Sequence, residues 1–303
     1  QFGGLAPFLA FLSKGQFRRR LAAQFGEQKA RSIIQLMIGI IVGAKDMEDV
    51  ERIGNGDGYI RKYLKQGLVG AVGTNRDHVY SELKQSLSAV NSKAERIHLI
   101  KLLFEFPRWR HLRNPPRAEE KRVNALMTAG NQFRKRIDRG DALALLAVGA
   151  IRETREFITG SPYKPIMRQA YILRSLKHPD EVQTLRSIYG NAFLLVAAYS
   201  PYQTRLSRLA RKIAQSYNSP DSEKFLDKAE HLIHRDAAEE ETPLGQNLRE
   251  TFPLADVFLN TSEPKGFQES VKRFVELVFR YPFHTPRQDE YGMFLAEAAG
   301  LRS

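Results

Sequence analysis

From residue 67 onward, short apolar runs alternate with long amphipathic stretches, and this alternation confines the chain to an α/β architecture built on a mostly parallel sheet. Runs at 68–72, 96–100, 170–173, 192–198 and 255–259 have the length and composition of strands. Five segments between or after them, 76–90, 180–189, 202–216, 222–238 and 267–279, place apolar residues three and four apart, as a helix with one buried face requires. Parallel strands need crossover connections of about a dozen residues or more, and helices of this length supply them on both faces of the sheet. With 303 residues, 42% of them hydrophobic, the chain can bury such a core.

The first strand runs into GLVGAVGTNRDHV, residues 67–79, which has strand, glycine turn and helix start in the order of a phosphate-binding loop. In the form GxxxxGK[ST], small residues let backbone N–H groups curl around phosphate, the lysine reaches the outer phosphates, and the hydroxyl holds magnesium. Here Gly70, Gly73 and Thr74 keep the turn, while Asn75 stands for the second glycine, Arg76 for the lysine and Asp77 for the hydroxyl. The expected fold is a three-layer P-loop nucleotide-kinase-like domain with a central five-stranded sheet, its first strand in the middle, preceded by a small all-α segment. The expected ligand is a nucleotide, ATP or a deoxynucleotide, bound without rapid phosphoryl transfer. Magnesium is not expected, because Asp77 replaces its hydroxyl ligand and no carboxylate ends the third strand.

Three further segments carry candidate ligand-binding residues. In AYILRSLKHPDEV a buried strand ends at Arg174, followed by Pro179 and Glu181 opening a helix. Ligands in open α/β sheets sit beyond the carboxyl ends of strands, so Arg174 can face a nucleotide; equally, it can pair with Glu181 at the sheet edge. SPYQTRLSRLARKIAQS puts Arg205, Arg208 and Arg211 on one helix face, either as guanidinium forks for a phosphoryl group or as a solvated basic face. In NALMTAGNQFRKRIDRGD, between the second and third strands, Asn131 can read a base edge and Arg134 or Arg139 a phosphate. The alternative is an ordinary helix pair with a capped junction at Asp141. The acidic stretch 234–260 reads as a mobile lid followed by the last strand. His231 and His234 lie a turn apart without a third ligand nearby, so they do not point to a metal.

The formal charge of +13, at pI about 9.9, favours phosphates in free nucleotides, nucleic acid or lipid headgroups without choosing among them. Cysteine is absent, which excludes a disulfide framework, a thiolate zinc site and a cysteine nucleophile. The apolar stretch 33–42 is too short to span a bilayer and reads as a buried helix, with no membrane association and the cytoplasm as the expected compartment.

Residues 1–65 read as helices, from the helical spacing of Leu5, Phe8, Leu9 and Leu12 and of Ile33, Ile34, Met37 and Ile41, with a basic face at Arg18, Arg19 and Arg20. FGGLAPFLAFL and IGIIVGAKDMEDVERIGNGDGYIRKYL resemble the N-terminal helical segment of DDE-type insertion-sequence transposases, which is associated with DNA. No ribonuclease-H-like core with three carboxylates follows, so the segment is expected to be an appendage or, in an alternative function for the chain, a contact to DNA or RNA.

Taken in order, GLVGAVGTN, MTAGNQFRKRIDRGDALALLA, AYILRSLKHPDEV, the three-arginine run, LRETFPLADVFL and FRYPFHTPRQDEYGMFLAEAAGLRS resemble the N-terminal domain of bacterial anti-phage dCTP deaminases. The segment around Arg174 is also similar to the strand-Arg-Pro-x-Glu segment of deoxynucleoside monophosphate kinases, which leaves an active kinase as a further alternative. The deaminase resemblance implies a kinase-like nucleotide-binding domain at 66–283 that controls a covalently linked zinc deaminase, with 284–303 as the start of that second domain. It further implies deamination of deoxycytidine nucleotides during phage infection, and homo-oligomers of the full-length protein. The deaminase needs an H-x-E helix and a P-C-x-x-C turn to hold zinc, and neither occurs in this sequence, so Zn2+ is not expected in this chain. With Gln1 at its start and a helix broken off at its end, the sequence reads as a piece of a longer protein. The implied phosphate contacts are Gly70, Gly73, Thr74, Asn75, Arg76, Arg174, Arg205 and Arg208.

Overall fold

A computed structural model describes residues 64–238, 244–279 and 284–300. The helical reading of 1–65 falls, but for its last two residues, outside the described residues. Five strands, β1 (Lys65–Val69), β2 (Lys93–His98), β3 (Gln169–Leu176), β4 (Phe193–Tyr199) and β5 (Val257–Asn260), form one sheet in the order β2-β3-β1-β4-β5. Every pairing in it is parallel. The three inner strands read as near-continuous apolar runs because helices cover both of their faces: Leu68, Val69, Ile172, Leu173, Leu195 and Val196 are wholly buried. The edges differ. β2 carries Lys93, Glu95 and Arg96, charges that discourage pairing with another chain, and Phe258 of β5 is half exposed.

Eight helices of eight or more residues are described: α1 (Arg76–Ala89), α2 (Glu119–Ile137), α3 (Ala142–Thr159), α4 (Pro179–Tyr189), α5 (Tyr202–Ser216), α6 (Leu226–Ala238), α7 (Pro264–Val278) and α8 (Gln288–Gly300). Leu143, Ala144, Ala147 and Ile151 of α3, with Val182 and Leu185 of α4, pack in one core cluster with Val69, Leu173, Leu195 and Ala197 of the sheet. Successive strand residues point to opposite faces, so Leu68, Ile172 and Val196 serve the other side, where α1 packs on β2 and on α7. A smaller apolar cluster stands apart from the sheet and joins Met127 of α2, Leu209, Ala210 and Ile213 of α5, and Ala229, Leu232 and Ile233 of α6 around Val72.

All five expected strands form, shifted by up to three residues at their ends. The first ends at Val69 rather than running to residue 72, because the chain turns at Gly70; Ala71 and Val72 belong to the turn. The second starts earlier, and Leu99–Leu102 after it is a short helical turn. The segment 222–238 opens with a 3-10 turn at Glu223–Phe225 before α6. No helix among the described residues is long and apolar enough to cross a membrane.

Candidate functional site

Strand β1 delivers the chain to Gly70, where an added Cβ would come within 3.0 Å of the Ala198 carbonyl of β4. Gly73 has φ +86°, and a Cβ there would lie 2.7 Å from the Arg205 carbonyl oxygen, so only glycine fits between turn and α5. Asn75 closes the turn by capping α1: its side chain accepts the His78 N–H at 3.4 Å.

Side chains from three helices then satisfy the turn's polar groups. Arg76 donates to the Gly70 carbonyl (2.7 Å), Arg205 to the Val72 carbonyl (3.3 Å) and Arg208 to the Gly73 carbonyl (3.2 Å). The Val72 N–H donates to a carboxylate oxygen of Asp236 on α6 at 2.7 Å, and the other oxygen of that carboxylate accepts Lys177 Nζ at 2.9 Å. Val72 itself is buried in the cluster formed by α2, α5 and α6. The loop and its three arginines are thus brought together, with the guanidinium groups on loop carbonyls. Arg76 also feels its surroundings: burial, and then the charge of Arg174, lower its pKa to about 10, so it stays charged at neutral pH.

Beyond the carboxyl ends of β1, β2 and β3 opens a cleft of about 690 Å³, floored by Val72, His98 and Ser175 and walled by α2. Among the described residues, eight lysine and arginine side chains line it against one carboxylate, Asp77. Asp77 opens α1 and binds Arg174 through both carboxylate oxygens, one at 3.0 Å, and Arg96 at 3.1 Å. Burial alone would raise the Asp77 carboxyl, but the Arg174 hydrogen bond and the charges of Arg174, Lys212 and Arg96 hold it below its ordinary range. His98, at the end of β2, is driven from 6.5 to about 4 by burial first and then by Arg174, Arg96 and Lys101. It is neutral at physiological pH. Counting ion-pair partners outside the lining, Glu105, Glu119, Glu181 and Asp236 join Asp77, so among the described residues five carboxylates face eight cations.

Two expectations meet a different partner. Arg174 does not pair with Glu181; two residues before the end of β3, next to a register shift between Leu68 and Val69, it pairs with Asp77 instead. Glu181 is taken by Arg134, an ion pair at 3.0 Å with both side chains almost wholly buried, and it also accepts the N–H groups of Lys177 and His178 at the start of α4. Arg134 therefore ties α2 to α4, with Asn131 accepting a further contact from it at 3.4 Å, while still lining the cleft's inner wall. Arg139 lies outside the cleft's lining and pairs with Asp141 across the junction of α2 and α3. At that junction Asp141 makes no side-chain cap; its carboxylate serves Arg139 and Thr184.

No protein-family model matches the chain, and no match was found among curated proteins.

Sequence reasoning passed over Arg96, His98, Arg122, Lys177 and Asp236. Arg96 and His98 sit at the carboxyl end of β2, the position that singled out Arg174 on β3, so the same rule extends to them. Asp236 carried no local signal: it meets Val72 from 164 residues away.

Proposed function

We propose that residues 66–283 belong to a P-loop nucleotide-kinase-like module that binds one deoxynucleotide in the arginine cleft and does not transfer its phosphoryl groups rapidly. The observation that carries this reading is the cleft itself, about 690 Å³ at the carboxyl ends of three parallel strands, with a surplus of cations. Its volume falls in the range of roughly 300–1,000 Å³ that small-molecule sites occupy. The sheet order, with β1 central and its glycine turn leading into α1, supports the kinase-like part of the reading. Arg174 and Arg96 meet at a half-exposed carboxylate, which a phosphate, carrying more charge and more acceptor oxygens, can replace. Apolar Ile100, Phe104, Leu112 and Leu126 line the same cleft and offer a surface for a base and sugar.

Slow or absent transfer is supported by how the loop's groups are spent. Arg76 is turned back onto the Gly70 carbonyl, Lys177 is held by Asp236, and Asp77 is bridged to two arginines. In the resembling deaminases such a module would report nucleotide occupancy to a covalently linked zinc domain, and we extend the proposal to that regulatory role in anti-phage defence.

Thermal-shift measurements with each dNTP, each dNMP and ATP test the reading. A deoxynucleotide is expected to raise the melting temperature of the wild-type chain and to lose that effect in Arg174→Ala. If no nucleotide shifts the wild type, the proposal falls. If binding instead goes to single-stranded DNA or RNA and weakens steeply with salt, the charge serves nucleic acid. Turnover of ATP and a dNMP with magnesium would make the module an active kinase.

A further inference from the structure

We propose that Asp236 stands in for a phosphate at the glycine loop and closes that loop to the phosphates of a second nucleotide. The inference rests on the reading of the arginine cleft as the site of the first. The Asp236 carboxylate has the two kinds of partner that a phosphate oxygen takes in a glycine-rich loop, a backbone N–H from the turn at 2.7 Å and a lysine ammonium at 2.9 Å. Only 2% of Asp236 is exposed, so the carboxylate is sealed in place as a ligand rather than hydrated at a rim. The lysine comes from just past β3 and the carboxylate from α6, which makes this a tertiary contact and not a local turn.

Asp236 also separates two spaces. Val72 and Lys177 line the arginine cleft, whereas Asp236, with Ala71 and Thr74, lines a second cavity of about 320 Å³. Thr74, 93% buried, is among the residues lining this second cavity, with Ser200 and Arg205, and its buried hydroxyl has no hydrogen-bond partner among the described residues. A loop N–H, a lysine, a buried hydroxyl and an arginine are a set of donors suited to a diphosphate. One carboxylate from within the chain neutralises Lys177 and repels any anion that approaches. The loop therefore keeps the donors of a phosphate site while its own side chain occupies it.

Isothermal titration of the full chain with inorganic pyrophosphate, without magnesium, tests this. The wild type is expected to bind one equivalent, lost in Arg174→Ala. Asp236→Ala removes both the charge and the side chain that fills the position, and it is expected to bind two. Adding Lys177→Gln to Asp236→Ala is expected to return the count to one. Two equivalents in the wild type, or no gain in a folded Asp236→Ala protein, overturn the proposal. No binding by the wild type with one equivalent in Asp236→Ala leaves the loop proposal standing and removes the cleft reading. One equivalent in both proteins does the reverse. A wild-type measurement guards against a variant that does not fold: hydrogen exchange at the Val72 amide, referred to the Leu68 amide, is expected to be the same with and without saturating pyrophosphate. Slower exchange at Val72 alone would mean that an external anion reaches the loop.

Discussion

The glycine loop and the arginine cleft share Val72 and Arg76, yet they treat charge in opposite ways. In the loop three carbonyls are matched by three arginines and one N–H by Asp236, and the Thr74 hydroxyl is left without a partner among the described residues. In the cleft the cations outnumber the carboxylates that answer them, and the central carboxylate, Asp77, is half exposed. A buried polar group without a partner costs about 1–3 kcal/mol, so the backbone of a loop that packs against α5 and α6 must be satisfied internally. A cleft open to water is under no such demand. Its surplus can persist until an anion arrives, and for that reason we propose binding in the cleft although the sequence motif lies in the loop.

The largest expected effect tests where scaffold ends and site begins. Glu181→Ala leaves Arg134 charged, buried and unpaired, and is expected to lower unfolding stability in urea by about 3–5 kcal/mol. A change below about 1 kcal/mol would return Arg134 to the ligand-binding set. Next, Gly73→Ala must hold φ +86° and push its Cβ against the Arg205 backbone. Strain of this kind is of order 1–3 kcal/mol and is expected as a lower urea midpoint. That strain also makes any side chain at Gly73, an aspartate included, a poor probe of anion binding, since the loop shifts before a ligand is added.

A third prediction separates the two regions by affinity. Arg174→Ala is expected to weaken deoxynucleotide binding about 10–100-fold, from the roughly 1.5–3 kcal/mol of a charged hydrogen bond, and to change stability by less than about 1 kcal/mol because its partner Asp77 is half exposed. Isothermal titration and urea denaturation read the two effects. Equal losses in both would mean that the Arg174–Asp77 contact is structural. A fourth effect is on pH. The His98 pKa is depressed in the folded chain to about 4 from 6.5, so between those values the unfolded chain binds the proton that the folded one refuses. Stability is expected to fall as pH drops from 6.5 towards 4, and His98→Gln is expected to flatten that slope. Phosphate bound beside Arg96 and Arg174 offsets the repulsion that holds the imidazole neutral, so an NMR titration is expected to show the His98 pKa rising when a nucleotide is present.

The fold was the more legible part. Alternating apolar runs and amphipathic helices record burial directly, and strand pairs up to 128 residues apart still obey that local rule. Boundaries were less legible at Val69, since Ala71 and Val72 are as apolar as a strand although Ala71 packs against the main core and Val72 among α2, α5 and α6. The site was legible only in position. Gly70, Gly73 and Arg174 were placed by backbone geometry and strand-edge logic. The partners of Arg76, Arg205 and Arg208 were not, because a guanidinium serves a carbonyl, a carboxylate or a phosphate equally well.

What the amino-acid order settled was the layered α/β architecture, the turn at Gly70–Gly73 and the basic character of the chain. These follow from patterns of apolar burial and backbone freedom that act over a few residues. Only the tertiary structure decided that Asp236 meets Val72, that Arg134 meets Glu181, and that Asp77 meets two arginines. Such pairings depend on distances of a few ångströms between groups far apart along the chain, and a charge shows its sign in the sequence without showing what it will face.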